Sequence, residues 1–381
     1  MLRYNKLAFY DFKKMGDNMK KLKLTKVIAS ALVVASVLML NPISASAEWK
    51  QNKTGWWYSE GNSWATGWRV IDGSLYYFDI RGYMLGSTPN EFGDEHVVNS
   101  SGQFQNVTIE GAWAFCKQTG VIVAYVGNDS NVVIPDKIDN VAITGIGNKA
   151  FYLNKNITNI TIPNSIKALG RSALFGCTGL TSINIPASVK SIDGYALSGC
   201  TNLKNISVDS NNITFKSVDG LLYSKDGTKL LNYPAGKVDE KYAIPDGVTD
   251  IGWNAFSGGV NLKSIEIPST VTSIGSSAFE GCKNLSSITI PDGVIDIGIG
   301  TFYGCTNLSS IKIPNTVITI EHSAFQNCIS LTKIVLPDSI TKIGKGAFNG
   351  CKNTLFNVKS ESVKQLLIKA GVDYNKIVGN S

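Results

Sequence analysis

Cys282, Cys305, Cys328 and Cys351 each stand 23 residues apart, and Cys177 and Cys200 are separated by the same interval. Counting back one interval from Cys282 reaches Gly259, and from Cys177 reaches Asn154, so the frame runs on where the thiol is absent. One unit reads Leu285-Ser-Ser-Ile-Thr-Ile-Pro291, then Val294-Ile-Asp-Ile-Gly298, then Thr301-Phe302-Tyr303-Gly304-Cys305; later units open at Leu308 and Leu331. A fixed period of roughly 20–25 residues marks a solenoid. No single unit can bury its apolar side alone, and stacking makes the core continuous.

Within a unit, apolar residues at alternate or near-alternate positions predict a short strand with one face inward. Proline ends it, having no N–H to give a ladder. A second short apolar segment ends at glycine in most units, and the following Ala-Phe segment reads as a helical turn. Phe151, Phe256, Phe279, Phe302, Phe325 and Phe348 share one frame position and are expected to stack, with Leu174 and Leu197 replacing Phe in two units. Between Cys200 and Gly259 the frame carries 36 extra residues. They include Asp226-Gly227 between two apolar runs, a hairpin signal, and predict a hairpin over 208–245 that projects from the stack. Residues 104–133 read as an N-terminal cap of strands. Residues 360–381 read as a C-terminal capping helix, with Ser360 or Ser362 as N-cap and Gly371 as stop.

The formal charge of +7 is uneven. Residues 1–47 hold 8 Lys/Arg and 2 Asp/Glu, leaving 28 basic and 27 acidic side chains for the rest. That near-neutral balance excludes a basic nucleic-acid footprint on the remainder. The basic stretch opening at Met19-Lys20-Lys21, the apolar run from Val27 to Leu40 and the small residues Ala45-Ser46-Ala47 have the order of a secretory signal peptide cut before Glu48. Residues 1–18 form a preamble, and Met19 offers an alternative translation start to Met1. The alternative, a membrane anchor, has an apolar run short of the roughly 20 residues needed to span. No later segment is apolar enough to span.

Five of the seven tryptophans lie between Trp49 and Trp68, with Tyr58, Tyr76, Tyr77 and Tyr83 close by. This aromatic block, residues 48–86, predicts a small β-hairpin module, followed by a linker over 87–103 and the solenoid over 104–359. The fold class is thus a β-rich α/β repeat solenoid of short strands and helical turns, preceded by hairpins.

The pattern Leu-x-x-Ile-x-Ile-Pro followed by Ile-Gly-x-x-Ala-Phe-x-Gly-Cys-x-Asn resembles the bacterial BspA-type leucine-rich repeat over about residues 104–381. The resemblance implies a curved right-handed solenoid with a parallel strand column, in a secreted or surface protein acting in adhesion or protein interaction. Thr54-Gly55-Trp56-Trp57-Tyr58 through Gly67-Trp68, continuing into Leu75-Tyr76-Tyr77-Phe78 and Gly82-Tyr83, resembles a clostridial cell-wall-binding repeat related to choline-binding modules. That likeness implies aromatic side chains enclosing a quaternary ammonium or contacting a wall polymer, by cation–π attraction of roughly 0.5–2 kcal/mol per contact. Trp57, Trp68 and Tyr77 are the first candidates; Trp56, Trp64, Tyr76 and Tyr83 are the second. Leu75 stands where an aromatic is common, and about two hairpins are present where proven binders string several. One weak site gives millimolar affinity, about 4 kcal/mol. Packing of the aromatics within the hairpins remains the other reading.

Equivalent cysteines on parallel Cβ vectors oppose disulfides and read as small buried hydrophobes. His96 falls in the linker and His322 at a position other units fill with Ser276 or Ile299. G-x-S-x-G, H-E-x-x-H, P-loop and G-x-G-x-x-G patterns are absent from the sequence. No catalytic residue, metal or cofactor is assigned. Solvent-facing strand positions Thr161, Asn184, Glu266, Thr289 and Lys312, with Lys333 beside them, form a polar strip on the order of 40 Å long. The strip is the predicted contact for an unknown protein or host macromolecule. The insert around Tyr223, Lys225 and Asp226 is the exposed alternative. Residues 48–86 would hold the protein to the cell wall. Two competing functions remain: a wall-polymer (choline, teichoic acid or glycan) binding accessory protein with the solenoid as spacer, and a modulator of another secreted enzyme.

Overall fold

A computed structural model describes residues 47–86 and 98–379. The expected signal peptide and most of the linker therefore lie outside the described residues. The chain divides into two compact units, the first ending at Ile109 and the second running from Glu110.

In the first unit, β1 (Trp49–Gln51), β2 (Trp56–Glu60) and β3 (Ser63–Trp64) form an antiparallel meander, and β4 (Gly67–Ile71) pairs with β5 (Ser74–Phe78). Asp72 and Gly73 both have positive φ, at 49° and 73°, the geometry that closes a two-residue hairpin. That register sets Trp68 opposite Tyr77 and Arg69 opposite Tyr76. The Arg69 guanidinium donates Nε and Nη2 to the Glu60 carboxylate at 2.6 and 3.2 Å, tying one hairpin to the other. Phe104, which the sequence assigns to the solenoid cap, belongs here. Its N–H donates to the Leu75 carbonyl at 3.0 Å, and Val98 bridges to it.

The second unit is the solenoid. Strands of one column pair in parallel: Asn131–Val133 with Asn159–Thr161, Ser182–Ile185 with Asn205–Val208, and Ser264–Glu266 with Ser287–Thr289 and then Ser310–Lys312. Ile288 and Ile290 point inward and Thr289 outward, the period of two that the sequence shows. A second column of two-residue strands, such as Asp296–Ile297, Thr319–Ile320 and Lys342–Ile343, also pairs in parallel. The rings of Phe256, Phe279, Phe302, Phe325 and Phe348 stack at 5.3 Å between neighbouring centroids.

The Ala-Phe segment is not helical. Ser277 and Gly281 have φ of 55° and 69°, and Gly300 and Gly304 have 61° and 70°. Two left-handed residues per turn break any helix. Donors alternate instead: Ala278, Glu280 and Cys282 bond three residues back, while Phe279 and Gly281 bond to Thr301 and Tyr303 of the next turn. The α-helix of the unit is α1 (Glu361–Lys369), N-capped by Ser360, and it covers Phe356 and Val358 with Val363 and Leu367.

The insert does not project. Phe215–Val218, Leu221–Ser224 and Lys229–Asn232 form an antiparallel meander whose last strand joins the second column, Leu230 opposite Ile251. Leu222 and Phe215 enter one core cluster and Leu221, Tyr223 and Leu230 the other. The frame also runs one turn further back than the cysteines indicate. Tyr233 stacks on Phe256 at 5.3 Å and so occupies the aromatic column.

Candidate functional site

The aromatic module separates into interior and surface. Trp68 and Tyr77, first candidates for a ligand, are buried, and so is Tyr76. Trp68 meets Tyr77 and Phe104 edge-on at 4.9 and 4.8 Å between centroids. Tyr76 receives a hydrogen bond from Gln103 Nε2 at 3.0 Å, and burial raises its pKa. Neither Trp68 nor Tyr77 presents a ring face to solvent, so packing accounts for them. Trp56 is half-buried against the Ala65, Phe78 and Met84 cluster.

Trp57, Trp64 and Tyr83 offer aromatic surface. Trp57 and Tyr83 meet edge-on at 6.2 Å. Trp64 is 52% exposed and lies over Gly82, where a Cβ would fall 2.0 Å from its ring. Only glycine at 82, with φ of 85°, admits that ring. The Arg81 guanidinium already sits 5.9 Å from the Tyr83 ring, so the cluster attracts a cation, and its own arginine would compete with one from outside.

On the solenoid, Thr161, Asn184, Glu266, Thr289, Lys312 and Lys333 are all exposed. Register places Thr289 beside Lys312 and Asn184 beside Ser207, whose hydroxyl donates to the Asn184 amide oxygen at 2.9 Å. Parallel pairing fixes the spacing of Glu266, Thr289 and Lys312 on one sheet, whereas Thr161, Asn184 and Lys333 stand on three other sheets of the same column. Tyr223 does not join it: the side chain is 2% exposed, with its hydroxyl 2.7 Å from that of Tyr242. Asp226 is exposed, its carboxylate held at about 2 by hydrogen bonds from Ser224 and Thr228, which is turn chemistry.

Each cysteine of the frame is buried and unbridged. Its thiol donates to the carbonyl of the aromatic-column residue of the preceding turn, as Cys305 Sγ does to Phe279 at 3.1 Å and Cys328 Sγ to Phe302 at 3.1 Å. Burial pushes Cys200 and Cys282 up to about 12, the opposite of what a nucleophile requires. Among the described residues, no three His, Cys, Asp or Glu side chains are grouped to hold a metal ion, and no helix is long and apolar enough to cross a membrane.

The profile described as BspA type leucine rich repeat region matches residues 125–219 and 239–355 in six copies, more than half of the chain. Among solved structures, a leucine-rich cell surface protein from Faecalibacterium prausnitzii is similar at 22% identity and a TM-score of 0.45, over 68% of this chain and 97% of its own. The pneumococcal vaccine antigen PcpA is similar at 19% identity and a TM-score of 0.42, over 73% and 98%. A leucine-rich-repeat protein from Bacteroides ovatus is similar at 24% identity and a TM-score of 0.42, over 68% and 65%. No curated protein matches.

Proposed function

This chain belongs to the BspA-type leucine-rich-repeat family, and on that premise we propose that it is a non-catalytic, exported surface protein whose solenoid binds a protein partner in adhesion or interaction. The observation that carries the reading is the polar ladder of Glu266, Thr289 and Lys312, exposed on adjacent strands that parallel pairing holds in register, with Thr161, Asn184 and Lys333 exposed on other strands of the column. A pre-ordered surface loses little conformational entropy on binding. The family's typical surface location supports the same reading. The test is a double charge change on that ladder. Glu266→Lys with Lys312→Glu should leave the melting temperature unchanged and reduce retention of the exported chain on host-cell or bacterial-cell layers at least about tenfold. Unchanged retention on every surface would remove the ladder from the binding site.

A second reading concerns residues 48–86, which would tether the protein to a wall polymer through Trp57, Trp64 and Tyr83. The exposed Trp64 favours it. Residues 48–381 should pellet with purified cell walls, and excess choline should release them. Trp57→Ala with Trp64→Ala should abolish pelleting, whereas Lys312→Glu should not. Pelleting that ignores both aromatic changes would leave the hairpins structural.

A further inference from the structure

The insert leaves the solenoid one irregular turn. Elsewhere five residues separate the second-column strand from the aromatic column, as from Ile251 to Phe256 or Ile192 to Leu197. From Leu230, which pairs with Ile251, to Tyr233, which stacks on Phe256, there are three. Two residues of wall are missing. The turns before and after close over the gap until a Cβ on Gly194 would lie 3.1 Å from that of Trp253. They leave a cleft of about 190 Å³.

Its lining departs from the frame at several positions together. Leu197, Leu222 and Leu231 make the floor. Trp253, 60% exposed, stands at the rim, where the equivalent positions carry Arg171, Gly194, Ser276 and Ile299. Asp193 replaces the glycine found as Gly170, Gly252 and Gly275. It accepts from the Tyr195 N–H through Oδ1 at 2.9 Å, leaving Oδ2 without a partner among the described residues. Asn232 interrupts a column that reads Ala173, Ala196, Ala255 and Ala278. It is 8% exposed and lines the cleft, and its side-chain amide meets no hydrogen-bond partner among the described residues. The Asn232 amide is not sealed from solvent, as Asn254 Nδ2 is, and so faces the cleft where an occupant could meet it. An apolar cavity with a few convergent polar groups is the ordinary form of a small-ligand site.

We propose that this cleft binds an N-acetylated sugar residue. The acetamido group offers a methyl to the leucine floor and an amide to Asn232. The C–H face of the ring suits the Trp253 indole, and its hydroxyls suit the free Asp193 oxygen. An apolar peptide side chain would fill the floor but bring no hydroxyl to Asp193. The site is on the second-column side of the solenoid and is independent of the polar ladder.

Saturation-transfer NMR on residues 48–381 tests it, with N-acetylglucosamine, glucose and N-acetyl-leucine amide as probes. The acetyl methyl of N-acetylglucosamine should give a signal saturating in the millimolar range, with glucose at least about tenfold weaker. Asn232→Ala restores the residue found in the neighbouring turns, so the fold and melting temperature should hold while the signal is lost. Trp253→Ser, the residue at position 276, should weaken binding about tenfold. No saturable signal up to about 50 mM, equal binding of glucose, or full binding by Asn232→Ala would overturn the proposal. Preferential binding of N-acetyl-leucine amide would do the same and make the cleft a peptide anchor.

Discussion

The cysteine that reveals the repeat serves as a donor. The carbonyls of Phe279, Phe302 and Phe325 each accept two bonds, one from the Cys N–H of their own turn and one from the Cys Sγ of the next, as Phe302 does from Cys305 and Cys328. Cys305→Ala removes one of these donors and a small buried volume, and should cost about 1–2 kcal/mol in urea unfolding. Thiol titration supplies a sign that can be checked. In the unfolded chain a thiol loses its proton near 9.0, but burial holds Cys200 and Cys282 protonated to about 12. Protonated thiol therefore favours the folded state, so stability is intact below about pH 9 and falls as pH climbs toward 12. Melting temperatures across that range should decline, and iodoacetamide at pH 8 should label the native protein far more slowly than the urea-unfolded one.

Within a turn, two glycine positions act for different reasons. Gly304 has φ of 70°, and a Cβ there would meet nothing nearer than 4.0 Å, so only conformation is at stake. Gly344 has no positive φ, but a Cβ would lie 2.3 Å from the His322 nitrogen, where the neighbouring backbone passes. Gly304→Ala should cost about 1–2 kcal/mol, and Gly344→Ala should cost more, because backbone must move. Urea midpoints of the two variants order them, and equal midpoints would contradict the close approach. At the end of the stack, Ser360 caps α1 by accepting from the Ser362 N–H at 3.2 Å, and Ser360→Ala should cost about 1 kcal/mol.

Over the whole chain, the meander of the insert is a seam. Residues 221–224 contribute Leu222 to one core cluster and Leu221 and Tyr223 to the other. Stability in a solenoid is nearest-neighbour in character, so damage on one side should stay there. Phe302→Ala removes a ring stacked on both faces and should cost about 3–5 kcal/mol. Hydrogen exchange should then quicken across residues 244–358 while residues 122–206 keep their protection. Uniform loss of protection would show that the two clusters unfold together. An insert seen only as a loop with an Asp-Gly turn does not announce this role, because its pairing partner, Asp250–Ile251, lies beyond the turn it joins.

Periodicity alone determined the solenoid, its inward Ile and Phe columns and the free cysteines, because equivalent residues in a stacked repeat must face the same way. It could not distinguish a helical turn from the alternating bonds of the Ala-Phe segment. Half of those donors go to the next turn, and only the stacked structure brings those acceptors within reach. The aromatic module was legible as residue types but not as faces. Asp72-Gly73 sets Trp68 against Tyr77, and Phe104, from beyond the polar segment, closes over Trp68, so tertiary packing removed them from the surface and left Trp57, Trp64 and Tyr83. The signal for the cleft was present in the letters, Asn232 in an alanine column and Asp193 in a glycine one. It became readable only when Tyr233 took its place on Phe256 and showed the turn two residues short. Alignment by sequence keeps a frame, whereas close packing decides where a missing residue leaves room.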